Sequence, residues 1–274
     1  MTTQLRFSIM ILVLFASVSN AQAEDFLTTF QVGVLGDSIS RGYDINQLRT
    51  EAPELVWASG TDLPNSHYNR FKALMPNTTI NVNNVALVGD TVTESNSEFQ
   101  SRATQLANWG ADYVAILIGA NDVCAGDLET PAGVQAFQDG VAKALKTLLT
   151  SPHPPKAVTV ASIPHIWALT QIPEFQSNGF CSMVWNMACP NLKIGQAAFD
   201  AQWAAANRAL EAAAAAAGHQ VVFDQMGVAN YNFTVDQVSQ LDCFHPSQQG
   251  QGILADVVWN HVATHVQSLL LQPD

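Results

Sequence analysis

One alternation in the chain constrains its fold more than any other feature. Short apolar runs recur at Gln31–Leu35, Ile80–Ala86, Tyr113–Ile118, Ala157–Ser162 and Gln220–Phe223. Continuous runs of this length suit strands buried on both faces. Between them lie segments with helical spacing, clearest at Ser66–Leu74, Glu94–Trp109, Ala132–Leu149 and Ala198–Ala217. The last is rich in alanine, the best helix former, and Gly218 is a natural stop. A final helix is expected to start at Pro246, since proline is favoured at the first helical position, and to run to about Leu270. Strands alternating with helices imply a mostly parallel five-stranded sheet in a three-layer α/β/α sandwich. Two stretches break the alternation. Arg41–Asn65 is long and polar. Pro164–Leu192 carries Trp167, Trp185, three prolines and two cysteines.

The first 23 residues read as a removable leader: Arg6 is followed by an apolar run from Phe7 to Val18, and Ala21-Gln22-Ala23 fits a small-x-small cleavage site. That run is short of the ~20 residues of a membrane span, and no later segment of the mature chain reaches that length. The expectation is an exported protein, periplasmic or extracellular, with residues 24–274 forming one domain. The chain carries a net charge of −12. Such a surface argues against nucleic acid or anionic lipid headgroups as charge-driven partners. A monomer is expected. Four cysteines, Cys124, Cys181, Cys189 and Cys243, form an even set, which in an exported chain favours two disulfides. With no C-x-x-C pair, zinc is a poor reading.

In open parallel sheets, ligands bind beyond the carboxyl ends of the strands. The first run ends in Gly36-Asp37-Ser38, the second in Asn84-Val85-Ala86-Leu87-Val88-Gly89, and the third in Gly119-Ala120-Asn121-Asp122. The expected last helix follows Asp242-Cys243-Phe244-His245. Each fragment alone has an ordinary reading as a turn, a helix cap or a surface carboxylate. Together they hold the parts for acyl transfer. A serine hydroxyl needs a base, and histidine serves near neutral pH. The histidine needs an acceptor to fix its tautomer, and Asp242 precedes it by one turn. Developing oxyanion charge needs preorganised N–H donors, which the Ser38 and Gly89 backbones and the Asn121 amide offer. The remaining histidines, His67, His153, His165, His219, His261 and His265, are read as structural.

These four fragments resemble the four blocks of the SGNH hydrolases, also called GDSL esterases and lipases. They span residues 36 to 245. Ile39 stands where the name-giving motif has leucine, and Ala120 where glycine is common. Neither departure touches an atom of the expected chemistry. Within the superfamily, the segment around Trp57 and the last block look most like the phospholipase B-like branch. The resemblance implies a flavodoxin-like α/β fold. It also implies a triad of Ser38, His245 and Asp242, oxyanion donors at Ser38, Gly89 and Asn121, and no metal or other cofactor. The implied substrate is a small-molecule or lipid carboxylic ester, with a carbohydrate O-acetyl ester as the alternative. From other classes stand a two-metal phosphoesterase, whose extra histidine ligands are missing near Asp37 and after Asn121, and a non-catalytic binding protein. If Asn121 and His245 face one bound ester, their loops run close, so Cys124–Cys243 is expected, leaving Cys181–Cys189. The alternative joins Cys124 and Cys243 each to one cysteine of the long loop.

Overall fold

The structure, a computed structural model, describes residues 29–270 except Asn96. The expected leader, residues 1–23, lies outside the described residues. Five parallel strands, β1 (Thr29–Gly36), β2 (Thr79–Asn84), β3 (Tyr113–Leu117), β4 (Ala157–Val160) and β5 (Val221–Phe223), stand in the order β2-β1-β3-β4-β5. The helices are α1 (His67–Leu74), α2 (Phe99–Trp109), α3 (Ala120–Ala125), α4 (Pro131–Leu149), α5 (Ile166–Leu169), α6 (Pro173–Gln176), α7 (Gly179–Ala188), α8 (Gln196–Ala217) and α9 (Gln248–Leu270). Helices α2, α4 and α8 pack side by side on one face of the sheet. On the other face Trp259 of α9 meets His67 and Phe71 of α1, and Phe71 packs on Tyr113 of β3. This is the expected three-layer α/β/α sandwich.

The strands differ in burial for a topological reason. Every residue of β3 and β4 is buried, as a continuous apolar run demands. β2 has a neighbour on one side only, and Thr79, Asn81 and Val82 are exposed. The expectation of burial on both faces therefore fails for β2, whose sequence is polar at alternate positions. Gly36, the last residue of β1, pairs with Leu117. A Cβ there would lie 2.2 Å from the Leu117 carbonyl oxygen, so only glycine permits this approach of β1 to β3.

Helix starts follow their capping chemistry. Ser66 accepts the Asn69 N–H to open α1, and Thr130 accepts the Gly133 N–H with Pro131 in the first position of α4. Two helices start later than expected by two residues or more. The segment before Phe99 folds around buried carboxylates instead of extending α2: the Glu98 N–H reaches Asp90 Oδ1, and the Thr93 N–H reaches Asp122 Oδ1. Pro246 pairs with Val238 in an antiparallel bridge, which keeps it out of α9 and delays that helix to Gln248.

The polar stretch 41–65 is ordered by its anchor at Trp57. The Trp57 side chain is fully buried; its N–H donates to Gln251 on α9, and its indole N–H donates to Ser40. The second long stretch contains α5, α6 and α7 and a 3₁₀ turn at Pro190–Ile194.

Candidate active site

Ser38 is the second residue after β1 and is 6% exposed. A tight 3₁₀ turn, Ile39–Arg41, begins at it. Asp37 Oδ1 accepts the Ile39 N–H, and the Ser38 carbonyl accepts the N–H groups of Arg41 and Tyr43. The turn is thus pinned by its own side chains and backbone, with Ser38 Oγ turned toward the last loop. His245 lies there, three residues before α9. Its Nε2 is 2.7 Å from Ser38 Oγ, and its Nδ1 is hydrogen-bonded to Asp242 Oδ2. Asp242 Oδ1 accepts the N–H groups of Phe244 (2.9 Å) and His245 (3.1 Å). The rings of Tyr43 and Phe244 both meet the imidazole edge-on. The three expected side chains therefore form one continuous hydrogen-bonded chain, Ser38–His245–Asp242.

Asn121 is in the first turn of α3 and borders the same cleft as Ser38. One N–H of its amide is held by the Asp90 carbonyl at 2.8 Å. That bond ties the Gly89 turn to Asn121. Gly89 itself occupies the turn after β2 with φ +79°. No other atom approaches where its Cβ would be, so the glycine is required by backbone conformation, not by crowding. The cleft is mainly apolar, walled by Ile39, Pro164, Ile166, Leu169, Phe233, Val238 and Phe244.

Burial shapes the electrostatics. Asp37 is fully buried, and desolvation pushes its carboxyl up to about 7, against the Ile39 N–H and His245, which lower it. Asp122 is pushed up to about 6 by burial, although the Thr93 hydroxyl and the Val92 and Thr93 N–H groups stabilise its ionised form. Burial also acts against ionised Asp242. Its hydrogen bond to His245, that group's charge and two backbone N–H donors prevail and hold it below the usual carboxylate range. Asp44, buried behind Asp242, is raised by burial and then by Asp242 itself. Asp44, Asp242 and His245 each place a potential ligand atom within 4.8 Å of the others. Both imidazole nitrogens are engaged in the Ser38–His245–Asp242 chain.

The disulfides correct the sequence expectation. Cys124 bonds to Cys189 and Cys181 to Cys243, with Cα separations of 4.2 and 5.3 Å. Neither Cys124–Cys243 nor Cys181–Cys189 forms. The reason is α7. A helix between Cys181 and Cys189 advances ~1.5 Å per residue, so their Cα atoms stand about 12 Å apart, beyond the ~7 Å that a disulfide tolerates. Each end of α7 instead takes a partner from a different block of the site. The Trp185 indole N–H reinforces this by donating to the Cys243 carbonyl at 2.8 Å.

Two contributors go unread in the sequence. Asp122 gathers the β2–α2 loop beside Asn121, and Asp44 stands behind Asp242. Nothing local in the sequence marks Asp44.

Comparison with known proteins agrees with this architecture. The profile of the GDSL-like lipase/acylhydrolase family matches residues 34–253. Similar solved structures include a lipase/acylhydrolase from Enterococcus faecalis, 17% identical, with a TM-score of 0.52 over 86% of this chain and 96% of that one. A psychrotrophic esterase from Pseudoalteromonas sp. is 16% identical, with a TM-score of 0.52 over 86% of this chain and 98% of that one. An acetylxylan esterase from Geobacillus stearothermophilus is 17% identical, with a TM-score of 0.52 over 86% of this chain and 95% of that one. At these identities the likeness is one of fold. No curated protein sequence matches the chain. A family match over most of the chain, on a fold shared with known esterases, makes this protein a member of the GDSL-like lipase/acylhydrolase family and a carboxylic ester hydrolase.

Proposed function

We propose that the protein is an exported serine esterase acting on lipid or other acyl esters, with Ser38 as nucleophile. The observation that carries this reading is the chain Ser38–His245–Asp242 opening on an apolar cleft. In the first half-reaction Ser38 Oγ attacks the ester carbonyl carbon as its proton passes to His245 Nε2. The carbonyl oxygen becomes an oxyanion, met by the Ser38 and Gly89 N–H groups and the Asn121 amide. Collapse expels the alcohol, which takes the proton from His245. Water, deprotonated by His245, then attacks the acyl-serine, and as the carboxylic acid is released the Ser38 oxygen takes that proton back from His245. Asp242 holds the tautomer with the proton on Nδ1 and stabilises the imidazolium. The apolar walls favour an acyl group over a sugar ring at the cleft. The pairing of all four cysteines in disulfides supports an oxidising compartment.

A fluorophosphonate should label Ser38. Ser38→Ala should abolish labelling and lower turnover by several orders of magnitude, since intact triads contribute on the order of 10⁶-fold. A panel of p-nitrophenyl esters from acetate to palmitate, lysophospholipid and acetylated xylan should show activity on the acyl and lipid esters. Activity confined to acetylated xylan refutes the lipid-ester assignment, and full activity in Ser38→Ala refutes the mechanism.

A further inference from the structure

Two buried carboxyl groups meet behind His245, and only one of them belongs to the hydrogen-bonded chain already described. Asp44 is 3% exposed and Asp242 is 4% exposed. Their oxygens, with a nitrogen of His245, lie within 4.8 Å of one another. Asp44 is held rigidly in this place. Its backbone has φ +58°, a left-handed conformation that aspartate tolerates better than most residues. Its N–H donates to the Thr50 carbonyl at 2.9 Å, and its carbonyl accepts the Ser239 hydroxyl. The Arg49 N–H occupies Oδ1 of its carboxyl group.

Two like charges cannot both ionise at this separation in a buried site without a large cost. The two groups differ in what surrounds them. Asp242 receives the Phe244 and His245 N–H groups and the imidazole, all of which favour its charged form. Asp44 has the single Arg49 N–H, and the charged groups facing it are Asp242 and His245 from the last loop. Tyr43, its chain neighbour, packs on His245. The proton shared by such a pair therefore belongs on Asp44.

We propose that Asp44 is a positioning residue for the reaction: it stays protonated and donates its O–H to Asp242, fixing that carboxylate against His245 Nδ1. Asp242 thereby gains a further donor, and the imidazole feels one negative charge, not two. Burial and the proximity of Asp242, which both raise the Asp44 carboxyl, act in the same direction.

The inference rests on the serine-esterase reading, so fluorophosphonate labelling of Ser38 in the unaltered protein is scored first and separately. Two variants are then compared on a p-nitrophenyl ester across pH. Asp44→Ala, which removes the donor, should lower kcat by about tenfold or more, the scale set by a hydrogen bond to a charged group, with little change in KM. Asp44→Asn keeps a neutral donor and should recover most of that loss. Its acid limb in kcat/KM should coincide with that of the unaltered enzyme. If Asp44 were ionised, the asparagine would delete a negative charge beside the imidazole and move the limb down by about half a pH unit or more. Such a shift overturns the proposal, as does an Asp44→Ala enzyme with undiminished kcat. An effect of EDTA or added calcium on the unaltered enzyme also overturns it, since a cation would then bridge the pair. The Asp44→Asn profile decides the matter even if Asp44→Ala fails to fold.

Discussion

The two disulfides close loops of nearly equal length but should not be equal in function. Their sequence separations are 65 for Cys124–Cys189 and 62 for Cys181–Cys243. The chain-entropy relation gives about 4 kcal/mol for each. For a domain of this size that corresponds to a fall in Tm of roughly 8 °C per bond removed. Replacing either pair by alanines should therefore cost similar stability. Activity should separate them. Cys243 lies between Asp242 and His245, so losing its disulfide leaves the segment that carries the proposed base tied to α7 through the Trp185 indole N–H alone. A displacement of that segment by ~1 Å is enough to cost up to ~100-fold in rate. Cys124 is in α3, which keeps other ties: Asn121 to the Asp90 carbonyl, Asp122 to Val92 and Thr93, and Asn191 to the Val123 carbonyl. Thermal melts and ester kinetics on Cys124→Ala/Cys189→Ala and Cys181→Ala/Cys243→Ala form the assay. The expected outcome is matched melting losses, with a large fall in kcat for the second pair and only a few-fold fall for the first. Equal kinetic losses, or an unchanged kcat in the second pair, would show that the His245 loop holds its shape without that disulfide.

Asp37 should make stability fall as pH rises. Folded Asp37 keeps its proton to about 7, while the unfolded chain releases it near 3.8, so between those values the folded state binds more protons. The difference is worth at most about 4 kcal/mol across that window and is complete above it, and Asp122 acts in the same direction up to about 6. Urea unfolding at pH 5 and 8 should show a smaller loss in Asp37→Asn than in the unaltered protein; identical slopes would refute the argument. Gly36→Ala should be destabilising by about 1–3 kcal/mol or more, because its Cβ would meet the Leu117 carbonyl oxygen at 2.2 Å. Retained stability there would mean that β1 and β3 part more easily than their pairing suggests.

The elements most legible in the sequence were those whose signal is local. The run Tyr113–Leu117 is apolar at every position and became a central strand. The blocks at Ser38, Asn121 and His245 read as site ends because each follows or precedes a regular element. β2 misled because an edge strand tolerates asparagines that a central strand does not. The disulfide pairing misled because the expected nearness of the Asn121 and His245 loops favoured Cys124–Cys243, whereas the helix Gly179–Ala188 keeps Cys181 and Cys189 apart and presents each to a different loop. Asp44 was invisible for a different reason: what gives it meaning is Asp242, nearly 200 residues along the chain and brought to it only by the complete fold.

The bond between His245 and Ser38 joins residues 207 positions apart. Loop closure over that distance must be met before the contact contributes anything, so such contacts form late in folding. The serine emerges near the beginning of the chain and its proposed base near the end. A chain interrupted anywhere between them would carry the proposed nucleophile's strand and remain chemically silent. Esterase turnover is therefore a timer for this molecule: its appearance during refolding marks the moment when both ends of the chain have found each other.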